Sequence, residues 1–271
     1  MKAIIIGAGS IGKRHSKNLN ELGVETKTVD VDEIDNIDTI LLEGTFDLGL
    51  VCSPNIYHID HCIKLASNNI PIFCEKPFYS SDNRIGELLE IVNRNNLITM
   101  VGCNLRFSEQ IKAIDPETRY ISVYFGYDLR KWRPNSNHLE SYSANKNLGG
   151  GVLLDVIHEI DYLYYVYGNI KNIKYTKDKL SNITNDTEDL VRGRIEFDCG
   201  TIADFTMNYL SEDYQRYYDI LKDDNLRRVD VRVKDYHYKD EISYFIESIK
   251  TNSKCMNDFE EAHNLLKLIT Q

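Results

Sequence analysis

The run Lys2-Ala3-Ile4-Ile5-Ile6-Gly7-Ala8-Gly9-Ser10-Ile11-Gly12 decides the fold. Its apolar start reads as a buried strand, and the three glycines stand where that strand turns into a helix. Each glycine has its own steric duty. Gly7 allows a tight turn, Gly9 lets a pyrophosphate approach the backbone, and Gly12 lets helix and strand pack closely. Ser10 and Ile11 lie in the first helical turn, where N–H groups and the positive dipole end favour an anion. Asp30 follows Gly12 by 18 residues, at the end of the next strand. A carboxylate there can hold a ribose 2′-OH. Asp32 competes for this role, but Asp30 is nearer the strand end.

Working outward, further strands are expected at 24–29, 47–52, 72–74 and 98–103, with helices at 57–68 and 83–93. Strands alternating with helices specify a doubly wound parallel sheet, a Rossmann domain. After Asp115-Pro116 the pattern changes. A strand at 120–126, a polar loop at 127–147 and one long helix at 150–167 come next. Strands at 173–176, 190–197 and 201–209 follow, the last two joined by Asp198-Cys199-Gly200, then amphipathic helices at 241–250 and 259–269. The expected organisation is therefore a dinucleotide-binding domain over 1–116 and a catalytic α+β domain over 117–271. The sheet of the second domain should be mainly antiparallel.

Composition narrows the partners. A chain of 271 residues with 42% hydrophobic and 27% charged residues suits a globular protein with two cores. The net charge of −10 argues against nucleic acid, whose phosphates need clustered Lys and Arg. No apolar run approaches the roughly 18 residues of a membrane span. The apolar N-terminus is too short for a signal peptide and runs directly into the glycines, so it is expected to be the first strand. The six cysteines lack metal or redox spacing and fit a reduced, cytoplasmic chain.

Three further groups carry chemistry. Ser53-Pro54-Asn55 and Glu75-Lys76-Pro77 each follow a strand, at the edge where open α/β sheets bind ligands. Lys76 could hydrogen-bond a substrate hydroxyl and favour its deprotonation. Its bond to Pro77 is one that can be cis. After Gly149-Gly150-Gly151 come Asp155, His158 and Asp161, spaced to place Asp155 and His158 on one helical face. Histidine is the usual proton shuttle near neutral pH, and an adjacent acid orients it. No further His or Cys stands at ligand spacing, so no metal is expected. His15, His58 and His61 are read as structural. Lys131-Trp132-Arg133-Pro134 and Tyr142-Ser143 lie in the loop before the helix, and an aromatic beside an arginine suits a sugar face with an anionic group.

With these motifs in this order, nearly the whole chain resembles the Gfo/Idh/MocA family of NAD(P)-dependent sugar oxidoreductases. It is most similar to members from bacterial surface-polysaccharide and nucleotide-sugar pathways. Gly9-Ser10-Ile11-Gly12, Trp132-Arg133-Pro134, Glu140-Ser141-Tyr142-Ser143 and the run from Gly149 to Asp161 carry that likeness. The resemblance implies Lys76, Asp155 and His158 as catalytic residues. It implies Gly7, Gly9, Ser10, Ile11, Gly12, Asp30, Ser53, Pro54, Asn55, Glu75 and Lys76 around NAD, preferred over NADP. Arg106, Trp132, Arg133, Tyr142 and His158 are expected on the side of a sugar or nucleotide-sugar substrate. The alternatives are a glycosidase of the same fold that uses NAD transiently, and a non-catalytic NAD-bound regulator.

Two features depart from the family. Many members separate the acid and the histidine by four residues, whereas Asp155 and His158 are separated by three. The part after Tyr209 is also short, which would thin the C-terminal sheet through which a homo-oligomer is expected.

Overall fold

The computed structural model describes residues 1–80, 84–132 and 137–270. The chain forms two compact units, Met1–Asn104 with Asp235–Lys267, and Leu105–Lys234 with Leu268–Gln271.

The first unit is built on β1 (Lys2–Ile6), β2 (Glu25–Val29), β3 (Leu48–Val51), β4 (Ile72–Glu75) and β5 (Thr99–Gly102), in the order β2-β1-β3-β4-β5. All neighbours are parallel. Helices α1 (Ser10–Glu21), α2 (Ile37–Glu43), α3 (His58–Ser67) and α4 (Ile85–Arg94) connect them. Ile4, Ile5 and Ile6 are all buried, which means both faces of β1 are covered. A parallel sheet with helices on both sides demands such continuous apolar runs. α1 and α4 show the complementary period, burying Gly12, His15 and Leu19 on one and Ile85, Leu88 and Val92 on the other.

Two C-terminal helices, α9 (Asp235–Thr251) and α10 (Phe259–Thr270), return to this unit. Phe245 of α9 packs on Phe73 of β4 at 5.8 Å between rings, and Phe259 of α10 packs on Phe78 at 4.4 Å. Asn257, between these helices, finishes the sheet edge. The Val101 amide donates to its carbonyl at 2.8 Å, and its side-chain amide donates to the Val101 carbonyl at 2.9 Å. The division thus differs from a single cut after 116. Amphipathicity shows that a helix has an apolar face, but not which sheet that face will cover.

The second unit contains the short α5 (Glu109–Lys112), β6 (Tyr120–Gly126), α6 (Leu129–Trp132), α7 (Val152–Asp155) and α8 (His158–Tyr167). Strands β7 (Ile170–Asp178), β8 (Leu190–Phe197), β9 (Ile202–Asn208), β10 (Gln215–Lys222) and β11 (Asn225–Asp230) follow. Its sheet runs β11-β10-β6-β9-β8-β7, antiparallel except for the β6–β9 pair. In β6, Ile121, Val123 and Phe125 are buried and alternate with Tyr120, Ser122 and Tyr124. One face is therefore covered, and α7 and α8 lie on it. The opposite face carries polar pairs, with Arg194 on Asp204 at 2.7 Å and Arg228 on Asp219 at 2.8 Å.

Two expectations are corrected here. The chain after Tyr209 does not thin the sheet, because β10 and β11 add a hairpin to it. Asp223 and Asp224 turn that hairpin at φ 51° and 60°, with Lys222 opposite Asn225. A two-residue turn with both φ positive usually carries Asn or Gly, so the Asp-Asp pair gave no signal. The single helix at 150–167 is in fact α7 and α8, interrupted at Val156 (φ −109°, ψ 31°) and Ile157. Asp155 and His158 consequently do not share a continuous helical face.

α8 is fixed by two buried ion pairs. Arg106 grips Asp161 through two nitrogens at 2.7 and 2.9 Å, with exposures of only 1% and 3%. Arg216 donates to Glu159 at 2.7 Å and lies over the Phe125 ring. Removing one partner strands the other charge in the interior. Arg106→Leu is expected to cost about 3–5 kcal/mol in denaturant unfolding, and the paired Arg106→Met/Asp161→Leu far less. Equal losses for the single and paired variants would contradict this account of α8.

Candidate functional site

In the first unit, the loops after β1, β2, β3 and β4 meet at the carboxyl edge of the sheet. The glycine loop is set by close approach. At Gly7, with φ +107°, a Cβ would stand 2.7 Å from the Cys52 backbone, and at Gly12 it would stand 2.0 Å from the Gly7 carbonyl oxygen. A Cβ on Gly9 would meet nothing within 4 Å. Gly7 and Gly12 therefore serve the packing of the protein itself, whereas Gly9 borders open space. No side chain caps α1, whose first turn follows Gly9. That combination is the cradle a pyrophosphate needs. Asp30 belongs to the same constellation, its carboxylate accepting the Ala8 amide at 3.2 Å.

Ser53, Pro54 and Asn55 follow β3, and Asn55 is buried. His58, the first residue of α3, joins this loop to the next. One ring nitrogen stands 2.8 Å from the Ser53 carbonyl, the other 3.0 and 3.2 Å from the Pro77 and Phe78 carbonyls. Burial pushes this imidazole below its ordinary pKa, against the pull of those carbonyls and of Glu75. His61 shares a 2.8 Å hydrogen bond with the Ser53 hydroxyl, and burial, with His58 adding to it, brings it down to about 4. The Lys76–Pro77 bond is cis. Glu75 is buried, and its carboxylate contacts the His15 ring at 2.6 Å and accepts the Lys76 amide at 3.2 Å. Lys76 itself is half-buried.

The second unit holds the remaining candidates. His158 is the first residue of α8 and is 9% exposed. The acids that follow it in α8, Glu159 and Asp161, are both paired with arginine. Asp155 gathers hydroxyls. Tyr142 donates to it at 2.5 Å, Ser143 at 2.7 Å and Tyr209 at 3.0 Å. Asp155 therefore anchors the loop that carries Tyr142. Trp132 packs edge-on against Phe125 and Tyr209, behind this cluster. Arg106, expected at the substrate, is enclosed in its pair with Asp161 and positions α8 instead. Arg133 lies outside the described residues.

Sequence reasoning read His15 and His58 as structural and gave Tyr209 no role. The first two were legible as a histidine three residues beyond the last glycine and another three beyond Asn55. Tyr209 gave no signal, because a tyrosine ending a strand is ordinary.

Comparison with known proteins agrees with this fold. Residues 24–103 match the oxidoreductase family with an NAD-binding Rossmann fold, and residues 118–224 match the GFO/IDH/MocA C-terminal domain. An uncharacterized oxidoreductase of Bacillus subtilis (strain 168), YrbE, is 26% identical over 193 residues, which is 64% of this chain and 55% of that protein. Inositol 2-dehydrogenase of Rhizobium meliloti (strain 1021) is 29% identical over 126 residues, 41% of this chain and 38% of that one. The chain thus aligns with about half, or less, of these relatives' length. Among solved structures, UDP-N-acetylglucosamine 3-dehydrogenase GnnA from Acidithiobacillus ferrooxidans shares the fold. Its TM-score is 0.79 at 15% identity, covering 98% of this chain and 94% of that one. Among the described residues, no helix is long and apolar enough to cross a membrane.

The glycines separate cradle from packing. Gly9→Ala is expected to fold normally, because its backbone is extended (φ −66°, ψ −172°), yet to lose most NAD affinity by calorimetry. Gly12→Ala should lose stability as well. Undiminished NAD binding by Gly9→Ala would remove the loop from the cofactor site. His61 makes a second test. Its folded-state value of about 4 lies below the ordinary 6.5. The unfolded chain therefore binds more protons between these values, and stability present above pH 6.5 is lost as pH falls toward 4. His61→Gln should flatten this decline in the urea midpoint, and an unchanged slope would contradict a neutral His61.

Proposed function

The chain belongs to the Gfo/Idh/MocA oxidoreductase family, and from that premise we propose that it transfers a hydride between NAD and a carbinol carbon of a sugar, cyclic polyol or nucleotide sugar. The observation that carries this reading is the shared sheet edge. There the glycine cradle, Asp30, the Ser53 loop and Lys76 follow four neighbouring strands of one parallel sheet. Inositol 2-dehydrogenase and UDP-N-acetylglucosamine 3-dehydrogenase support the substrate class through their own activities.

Bound NAD would supply the hydride acceptor. The protein's part is to hold the reactants and manage charge. Lys76 would place a positive charge beside the developing alkoxide, stabilising the transition state more than the neutral alcohol. His158, in its neutral form, would take the hydroxyl proton as the carbonyl forms. Asp155 would shape the substrate side through Tyr142 and Ser143, and Asp30 would bond the adenosine ribose.

Loss of His158 or of Lys76, each by substitution with Ala, should slow turnover about 10²–10⁴-fold, and His158→Ala should leave NAD affinity close to normal. Asp30 should also reject a 2′-phosphate by charge, so wild type should bind NAD more tightly than NADP, and Asp30→Ala should narrow the gap. A folded His158→Ala protein with near-normal turnover would contradict the proton role. Substrate loss without accumulation of NADH would point instead to redox-neutral chemistry that uses the cofactor transiently.

A further inference from the structure

Two buried histidines flank Lys76, and the proposed chemistry assigns neither of them a part. His15 lies on α1, two turns of chain beyond Gly9, and is fully buried. It reaches Lys76 through Glu75, whose two oxygens are divided between the tasks. Oε1 contacts His15 Nε2 at 2.6 Å, and Oε2 accepts the Lys76 amide at 3.2 Å. Phe73 and Tyr238 stand edge-on around the His15 ring, which leaves it little room to turn. Glu241 of α9 completes the surroundings, within 4.8 Å of both His15 and Glu75. On the other flank, the His58 ring stands between the Ser53 carbonyl and the Pro77 and Phe78 carbonyls, donating its single N–H to one side when neutral.

The two tethers lead to different walls of the cofactor site. His15 ties the lysine turn to the helix that begins at the glycine cradle. His58 ties it to the loop after β3. We propose that His15 and His58 are positioning residues for Lys76, registering its turn against the cofactor cradle on one side and against the Ser53 loop on the other. The proposal rests on the role given to Lys76 above. A lysine on a flexible four-carbon stem delivers its charge usefully only if its Cα is fixed, because a misplacement of about 1 Å can cost about 10²-fold in rate. The carboxylate between imidazole and amide does this in the buried interior, where hydrogen bonds to ionised groups are strongest. A purely structural role would instead show as lost stability with no special link to Lys76.

The test is a double-substitution cycle on the full chain, with NAD and a turned-over sugar or polyol. His15→Leu and His58→Leu should each lower kcat by about 10²-fold with NAD affinity retained. His15→Gln, which keeps a donor near the Nε2 position, should recover most of the loss and also serves if the Leu variant does not fold. In a Lys76→Ala background, adding either histidine substitution should change kcat by no more than about twofold, because there is no lysine left to misplace. Losses that multiply in that background would overturn the proposal. If Lys76→Ala alone leaves kcat unchanged, the role of Lys76 falls instead.

A second measurement separates the two failures without turnover. Reductive ¹³C-methylation of the whole protein gives a Lys76 signal, identified by its absence from Lys76→Arg. That signal should shift in both His15→Leu and His58→Leu. A Lys76 signal unmoved in both variants would overturn the positioning role even in a protein whose catalytic lysine is secure.

Discussion

The near-contact between Gly12 and the Gly7 carbonyl governs the first unit. With a Cβ on Gly12 only 2.0 Å from that oxygen, no other residue lets α1 begin so close to β1. This closeness brings the first turn of α1 over the carboxyl edge of the sheet. It also sets His15, one turn further on, against Glu75 of β4. One steric requirement thus reaches from the phosphate cradle to the lysine turn. The open space at Gly9 is the complementary side of the same design, since no part of the fold fills the place of its missing Cβ.

In the second unit the corresponding constraint is charge. Four ionised side chains are buried around α8, and they are tolerable because each arginine meets its acid with short hydrogen bonds. The pairs fix the rotation and depth of the helix that begins with His158. They also neutralise Glu159 and Asp161, the acids that follow it on that helix. Asp155 is drawn to Tyr142, Ser143 and Tyr209, so the loop before the helix and the end of β9 are held by one carboxylate.

The sequence was most legible where geometry admits few residue types. Three glycines at fixed spacing, followed by strands that are apolar throughout, specified the parallel sheet and the order of its ligand loops. It was least legible where several residue types serve. Asp223-Asp224 makes a turn more often built with Asn or Gly, so the last hairpin was hidden. Three-residue spacing from Asp155 to His158 suggested a shared face, but the helix breaks at Val156. Tertiary hydroxyls from distant positions claim the acid. Arg106 was expected on the substrate side, and only the fold reveals Asp161 as its partner. His15 and His58 were visible as residues but not as tethers, since the carbonyls and the carboxylate they hold come from other elements.

The proposed reaction is hydride transfer between NAD and a carbinol carbon. The most direct measurement follows the hydride itself. The protein and NAD are incubated with carbon-deuterated inositols, hexoses and UDP-N-acetylhexosamines, and the nicotinamide ring is then examined by mass spectrometry. The account predicts one deuterium at the reduced ring from one of these substrates, formed in step with the oxidised sugar. Bound NAD that acquires no deuterium from any of them, while the substrates remain unoxidised, would contradict it.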